Sequence, residues 1–472
     1  MERNVRILVR TRRRVSDEGG RDGGGQVFND RVVIVDENRT HLQLPHTPAS
    51  FFLAQIPAST FHLFFCSLYS YRVQSSAGNH VSVCGYQLVE VVFNPAKGRE
   101  RKMTVWRLRK FARAAVGEAK VPQIMASPPL RYMSTTCRAV VLPRFGGPDV
   151  LELRQNVDVP DLKPRQVLVR TRAVSINPLD THMRSGYGRS IFEPLLPLIL
   201  GRDVSGEVAA VGASVRSLSV GQEVFGALHP TAVRGTYADY AILEENELAS
   251  KPSSLTHVEA SAIPFAALTA WRALKSTARI SEGQKVLVLG GGGAVGLSAI
   301  QLSVAAGCRV STTCGDQSIK LALELGAEQA IDYTSEDIEL ALKEQFDAVL
   351  DTIGIPKTER LGINVLKKGG HYMTLQGEAA SMADSYGLTI GLPAATAILL
   401  KKQIQYRYSH GIAYWWTYMR ADSEGLDEIR RLSDAGKLRI PVEKTFPITR
   451  VTEAHEAKDK RIIPGKVVLE VD

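Results

Sequence analysis

Lys285-Val286-Leu287-Val288-Leu289-Gly290-Gly291-Gly292-Gly293-Ala294-Val295-Gly296 is the stretch on which the fold turns. Five residues with an apolar run lead straight into glycine, and an apolar segment of helical length follows. A glycine pattern alone is weak evidence, but between a strand and a helix it is the context a dinucleotide loop requires. Gly290 permits a tight turn, Gly293 lets the backbone approach a pyrophosphate, and Gly296 lets the helix pack on the sheet. Free N–H groups and the helix dipole then favour an anion at the helix start. The phosphate-facing set is Gly290, Gly292, Gly293, Ala294, Val295 and Gly296. The plainer reading is a flexible loop with no ligand.

Working outward, strands and helices alternate. VEASAIPFAALTAWRALKS reads as a helix, then KVLVLG as a strand, VGLSAIQLSVAAG as a helix, CRVSTTC as a strand, SIKLALELGA as a helix and QAIDY as a strand. FDAVLDTIG and GGHYMTLQG read as two more strands. Such alternation with short links predicts a doubly wound parallel sheet. Before it, CRAVVLPRFG, VLELRQNVDVP, QVLVRTRAVSIN, DVSGEVAAVG, VGQEVFGAL and GTYADYAIL alternate in the manner of short strands with glycine corners, which suggests a small barrel or sandwich. After a helix at about 424–435, IPVEKTFPITR and GKVVLEVD are strand-like again and are expected to rejoin that first domain.

The strand after the glycine loop bears on the cofactor. It ends at Thr312-Thr313-Cys314-Gly315, with Cys314 where an NAD enzyme usually carries Asp or Glu for the ribose 2′-hydroxyl. A 2′-phosphate meets no carboxylate there, although Asp316 lies two residues on. Gly315, Ser318, Lys320 and Tyr333 are the candidate contacts, and they favour NADPH. Lys320 reads equally well as a solvent-facing helix residue.

The 472 residues are enough for two or three domains. The formal charge of +9 hints at nucleic acid, but about +10 of it precedes Cys137, and no nucleic-acid motif is visible in the near-neutral body. The five cysteines form no CxxC pair and no zinc-ligand spacing, which fits a reducing compartment. Residues 1–102 carry no domain pattern. Phe51–Ser70 is uncharged and apolar enough to raise the question of a membrane span, but Pro57, Gln55, His62 and several serines interrupt it. From Met103 the chain is Arg-rich and acid-poor, with Val105, Leu108, Phe111, Ala112, Ala115 and Val116 at helical spacing, as an organelle presequence needs. Arg131-Tyr132-Met133 before Ser134 is similar to a mitochondrial cleavage site. A solvated basic linker is the alternative. On the import reading, translation begins at Met103.

The motifs SINPLDTHMRSGYG (175–188), LILGRDVSGEVAAVG (198–212), the loop VLGGGGAVG and FDAVLDTIG together resemble the medium-chain dehydrogenase/reductase superfamily in its zinc-free quinone-oxidoreductase branch. NPLDTHMRSGYG with PLILGRDVSG resembles the mitochondrial reticulon-4-interacting protein family most closely. The resemblance runs from about Cys137 to the C-terminus. Outside it, the residues themselves suggest a poorly ordered extension at 1–136 containing the presequence-like 103–136. The resemblance implies an α/β chain: a GroES-like β-barrel catalytic domain at 137–262 and 433–472 and a Rossmann-type sheet at 263–432.

It also implies site residues. Asn177, Arg202 and Phe265 correspond to the three protein ligands of catalytic zinc in metal-dependent relatives, and the four-cysteine lobe is missing, so no metal is expected. Asn177 is the first candidate to polarise the acceptor, or else a turn residue ahead of Pro178. His182 and Tyr187 follow as pocket-lining or proton-donating candidates, or as an exposed helix face. Arg202 binds an anion or pairs with Asp203. Thr352 and Leu375 lie near the nicotinamide. Trp415, Trp416 and Tyr418 read as core or dimer contact rather than substrate site. The expected activity is NADPH-dependent hydride transfer to a quinone or α,β-unsaturated carbonyl in mitochondria, by a homodimer with a membrane or protein partner. A mitochondrial enoyl-thioester reductase and a non-catalytic NADPH-binding interaction protein are the alternatives.

Overall fold

The computed structural model describes residues 136–342, 345–460 and 465–472, together with backbone strand segments between residues 6 and 106. The chain divides into two units, Met1–Ser127 and Pro128–Asp472. In the first, Arg6–Ile7, Val33–Val35 and His41–Gln43 form one antiparallel sheet. Ser50–Leu53, Phe61–Gln74, His80–Phe93 and Lys102–Trp106 form another. The apolar stretch 51–70 therefore contributes to two strands, and the presequence-like segment begins in a third. Residues 107–135 of that segment, and the expected poor order of 1–136, lie outside the described residues.

The second unit holds the predicted parallel sheet. Its strands, in spatial order, are Gln329–Asp332, Arg309–Cys314, Lys285–Leu289, Phe346–Asp351, Leu366–Thr374 and Ala413–Trp416. All neighbours run parallel. In chain order this is 3-2-1-4-5-6, the doubly wound arrangement whose switch point lies between the first and fourth strands. Val286, Leu287, Val288 and Leu289 are buried because helices cover both faces. The helix Pro264–Trp271 packs with Ala299 and Ile300 of helix Ala294–Ala305 in one core. Helix Ser423–Asp434 joins that core through Leu426, Ile429 and Leu432. Asp422 caps it, accepting from Gly425 N at 2.9 Å, which satisfies one of the free first-turn amides.

The segment read as one helix over 258–276 is instead two, His257–Ser261 and Pro264–Trp271, followed by a π-helical turn at Arg272–Ala278. Pro264 lacks an N–H and so cannot continue a helical hydrogen-bond ladder, but it fits the first position of a new helix, where that N–H would have no partner.

The β-rich part is a seven-stranded sheet with path Leu248–Ser250, Glu223–Ala227, Asp203–Val211, Gln166–Ser175, Lys466–Glu470 and Val442–Pro447, and with Tyr240–Glu244 also paired to Gln166–Ser175. A three-stranded sheet of Leu198–Ile199, Thr136–Leu142 and Glu152–Asp158 shares its core. The bridges Ala139↔Ala238 and Ile199↔Arg234 tie the chain together there. The C-terminal strand pairs Ala173 with Glu470 and Ser175 with Val468. The tail thus returns to the first-formed sheet and frames the loop after Ser175.

Candidate active site

The glycine loop is built from its strand outward. Gly290 leaves Leu289 with φ +88°, a left-handed conformation that favours glycine. Gly290 N and Gly291 N donate to Thr313 O at 3.0 and 2.8 Å, pinning the turn to the neighbouring strand. A Cβ on Gly296 would run into Gly290 O and the Gly291 backbone, so only glycine lets the helix start this close to the strand. Gly293 is the N-cap of helix Ala294–Ala305, and no side chain caps it. The first-turn amides of Ala294, Val295 and Gly296 therefore remain available to an anion. A dinucleotide pyrophosphate fits this arrangement.

Around the loop, Thr352 Oγ1 donates to Leu289 O at 2.9 Å and Gly290 O at 3.2 Å, across the switch point. Leu375 N donates to Asp351 O at 3.2 Å. Asp351 is fully buried. Its Oδ1 accepts from Ile353 N and Gly354 N, and its Oδ2 accepts from Tyr372 OH at 2.6 Å, which shapes the loop that follows. Sequence reasoning missed Asp351; its signal was a carboxylate ending an apolar strand.

At the next strand end, Cys314 is buried, and burial followed by the nearby Asp332 pushes its thiol up to about 11. It therefore stays neutral. Ser318 packs against Gly292, and Tyr333 N donates to Cys314 O at 3.2 Å, so Gly292, Gly315, Ser318 and Tyr333 share one corner. Lys320 is exposed, and its ammonium lies 3.8 Å from Glu324 on its own helix, as the solvent-facing reading expects. The carboxylate that meets Cys314 across the strand pair is Asp332, which sequence reasoning had not weighed. Its oxygens accept from Thr334 N, Thr334 Oγ1 and Ser335 Oγ, and these bonds hold its carboxyl below the usual range.

The second cluster is in the β-rich part. Asn177, Asp203 and Lys466 are all buried. Asn177 Nδ2 donates to Asp203 Oδ2 at 2.8 Å, and Lys466 Nζ donates to Asn177 Oδ1 at 2.6 Å and to Asp203 Oδ2 at 3.0 Å. Ser175 Oγ donates to the same oxygen at 2.5 Å, and Phe265 N to Asp203 Oδ1 at 2.6 Å. Asn177 N donates to Asp180 Oδ2 at 2.8 Å, which fixes the start of helix Pro178–Arg184. Burial raises the Asp180 carboxyl, against the pull of Arg202. One N–H of the Asn177 amide is thus committed to Asp203, and no acceptor is recorded for the second among the described residues.

Two of the expectations for Arg202 fail. Its guanidinium is completely buried and donates to Gly201 O, Pro230 O and Ala232 O and to Met183 Sδ. It therefore presents no donor to a bound anion and makes no hydrogen bond to Asp203, because backbone carbonyls and Met183 absorb its donors. Asn177 and Phe265, two of the three positions that the resemblance is expected to align with zinc ligands, both bond the Asp203 carboxylate. Among the described residues no group of three or more His, Cys, Asp or Glu is placed to hold a metal.

His182 is exposed on helix Pro178–Arg184, with its ring 6.1 Å from that of Tyr187. Tyr187 is also exposed, and partial burial followed by Asp384 raises its hydroxyl, so it stays protonated. Its loop is clasped from the nucleotide side: Asp384 accepts from Gly188 N at 2.8 Å and Ser190 N at 2.9 Å. Among the described residues no hydrogen bond joins Asn177 or Tyr187 to Thr352 or Leu375. The two clusters communicate through helix Pro264–Trp271, whose first turn bonds Asp203 and whose body packs on the nucleotide helix.

Trp415 and Trp416 are half-buried on the edge strand and Tyr418 is exposed. Trp415 Nε1 donates to His371 Nδ1 at 3.3 Å.

Comparison with known proteins places this geometry. Residues 163–253 match the family described as alcohol dehydrogenase GroES-like domain, and residues 325–469 match the family described as zinc-binding dehydrogenase. A Mus musculus protein named NAD(P)H oxidoreductase RTN4IP1, mitochondrial, is 36% identical over 375 residues, covering 74% of this chain and 94% of its own length. An Arabidopsis thaliana protein named NADPH-dependent alkenal/one oxidoreductase, chloroplastic, is 31% identical over 341 residues, covering 70% and 79%. The solved quinone oxidoreductase from Coxiella burnetii superposes with a TM-score of 0.60 at 29% identity, covering 72% of this chain and all of that one.

Proposed function

The chain belongs to the medium-chain dehydrogenase/reductase superfamily, alongside the mitochondrial NAD(P)H oxidoreductases it matches, and from that premise we propose that it is an NADPH-dependent reductase of quinones or α,β-unsaturated carbonyls that works without zinc. The observation that carries the zinc-free part is the Asp203 network. Asn177 and Phe265, at positions where zinc relatives carry metal ligands, are bonded to one buried carboxylate.

Bound NADPH supplies the hydride. The chain's residues do the rest. The first-turn amides of Ala294, Val295 and Gly296, with Gly290, Gly292 and Gly293, hold the pyrophosphate. Gly315, Ser318 and Tyr333 would receive the 2′-phosphate, with Lys320 near in sequence. Thr352 and Leu375 would line the nicotinamide side. The second N–H of Asn177 would donate to the acceptor oxygen, where negative charge develops, and a held donor there lowers the barrier. Tyr187 or His182 delivers the proton from the rim. In this reading 137–262 and 433–472 carry the substrate side, 263–432 carry the nucleotide, and 103–136 direct the chain into mitochondria. A homodimer, and a membrane or protein partner there, complete it.

The test is oxidation of NADPH and of NADH with a quinone, an enone and an enoyl thioester, together with zinc analysis of the purified protein. Turnover of quinone or enone with NADPH, and no zinc, is expected. Preference for the thioester moves the assignment to an enoyl-thioester reductase. Tight NADPH binding with no turnover on any acceptor moves it to an interaction protein, and stoichiometric zinc removes the metal-free mechanism.

A further inference from the structure

Helix Leu388–Ser409 carries two different apolar faces. Its inner face is accounted for. Leu399 and Tyr406 pack on the core around Leu287 and Tyr372, Lys402 Nζ lies 2.9 Å from Glu359 Oε2, and Gln403 Nε2 donates to Tyr414 O at 3.1 Å. Among the described residues its outer face has no such partner. Ile390, Pro393, Ala397, Leu400, Ile404 and Tyr408 recur at steps of three and four, so they form one stripe. All are exposed, with Ile390 at 64%, Ile404 at 57% and Tyr408 at 87%. Isolated exposed apolar residues are ordinary, whereas a continuous stripe marks an interaction surface.

The charge around the stripe selects the partner. Residues 385–421 contain no Asp or Glu, while Lys401 and Arg407 on the helix itself are exposed. A second copy would set these cations against themselves, so the face is not self-complementary. An anionic surface with an apolar interior is complementary to it. The exposed Tyr408, on the stripe itself, suits the boundary between headgroups and acyl chains. Among the described residues no helix is long and apolar enough to cross a membrane, so the geometry is that of a helix lying on one. We propose that the outer face of Leu388–Ser409 is a docking surface for an anionic lipid bilayer, its apolar stripe entering the headgroup boundary and its cations meeting lipid phosphates. The proposal gives the membrane partner of the preceding reading a place, and rests on that reading only there. The same segment begins just after Asp384, so the docked helix is continuous in sequence with the clasp on the Tyr187 loop.

The test is vesicle flotation of the full chain and of a Leu400→Glu/Ile404→Glu variant, which changes the outer face alone. Vesicles are phosphatidylcholine with about one third phosphatidylglycerol, or phosphatidylcholine alone. The wild-type chain is expected to float with the anionic vesicles and to be released by salt, and the variant to lose about tenfold or more in partitioning. Residues 51–70 are present in both proteins, so their difference reads this helix. No flotation of the wild type, or equal flotation of the variant, overturns the proposal. So does a variant that changes only from dimer to monomer in sedimentation, since a second copy then covers the face. NADPH oxidation with a water-soluble quinone, measured on both proteins, is expected to be unchanged. Its absence in both would count against the reductase reading and leave the flotation result standing.

Discussion

Lys466 Nζ lies 2.6 Å from Asn177 Oδ1 and 3.0 Å from Asp203 Oδ2, so the last strand of the chain holds the side chain of the leading candidate donor. Both ionic partners are buried. Removing one member of such a pair leaves the other charge uncompensated, which costs about 3–5 kcal/mol. Lys466→Met is therefore expected to lose stability of that order in urea unfolding. A loss under about 1 kcal/mol would mean that Asp203 is satisfied by Ser175, Asn177 and Phe265 without it.

Asn177→Ala separates the roles of the network. The second amide N–H is proposed to act only as charge develops on the acceptor, so its removal is expected to lower kcat by about a hundredfold with the NADPH affinity unchanged. Steady-state kinetics and cofactor titration on the folded variant check this. An unchanged kcat would reduce Asn177 to the cap of helix Pro178–Arg184.

The parallel sheet was legible because its signals are local. Residues 286–289 are buried on both faces and read as an unbroken apolar run, and the glycines and the next helix follow at once. Lys466 was not legible. A lysine opening a strand reads as surface, and its carboxylate partner is 263 residues away. Arg202 was misread because its partners are backbone carbonyls, which residue types do not reveal. Helix Leu388–Ser409 gave no clear period because both faces are apolar and Pro393 lies inside it.

Gly293 and Gly296 distinguish a ligand's demand from the fold's. A Cβ at Gly296 meets Gly290 O and the Gly291 backbone, whereas a Cβ at Gly293 has nothing nearer than Gly290 O at 3.9 Å. Gly296→Ala is expected to reduce both stability and NADPH affinity. Gly293→Ala is expected to leave unfolding within about 0.5 kcal/mol of wild type yet weaken NADPH about tenfold or more, because only bound pyrophosphate needs that space. Unchanged affinity in Gly293→Ala would remove the pyrophosphate from this loop.

His455 makes stability depend on pH. It is fully buried, and Arg184 Nη1 lies 3.0 Å from its Nδ1. Arginine can only donate, so Nδ1 accepts and the proton sits on Nε2, which has no partner among the described residues. Burial, and then the Arg184 charge, lower its pKa from 6.5 to about 3. Between these values the unfolded chain binds a proton that the folded chain refuses. Stability therefore rises with pH across the window, is fully present above 6.5 and is lost as pH falls towards 3. One proton corresponds to a slope approaching about 1.4 kcal/mol per pH unit. His455→Leu removes the titrating group along with an acceptor for Arg184, so its absolute stability falls, but its slope is the informative quantity. Urea unfolding at pH 6 and pH 5 is expected to show wild type losing about 1 kcal/mol more than the variant over that step. Parallel losses in the two proteins would mean that the imidazole takes up its proton without opening the contact between Arg184 and the helix Val451–Lys460.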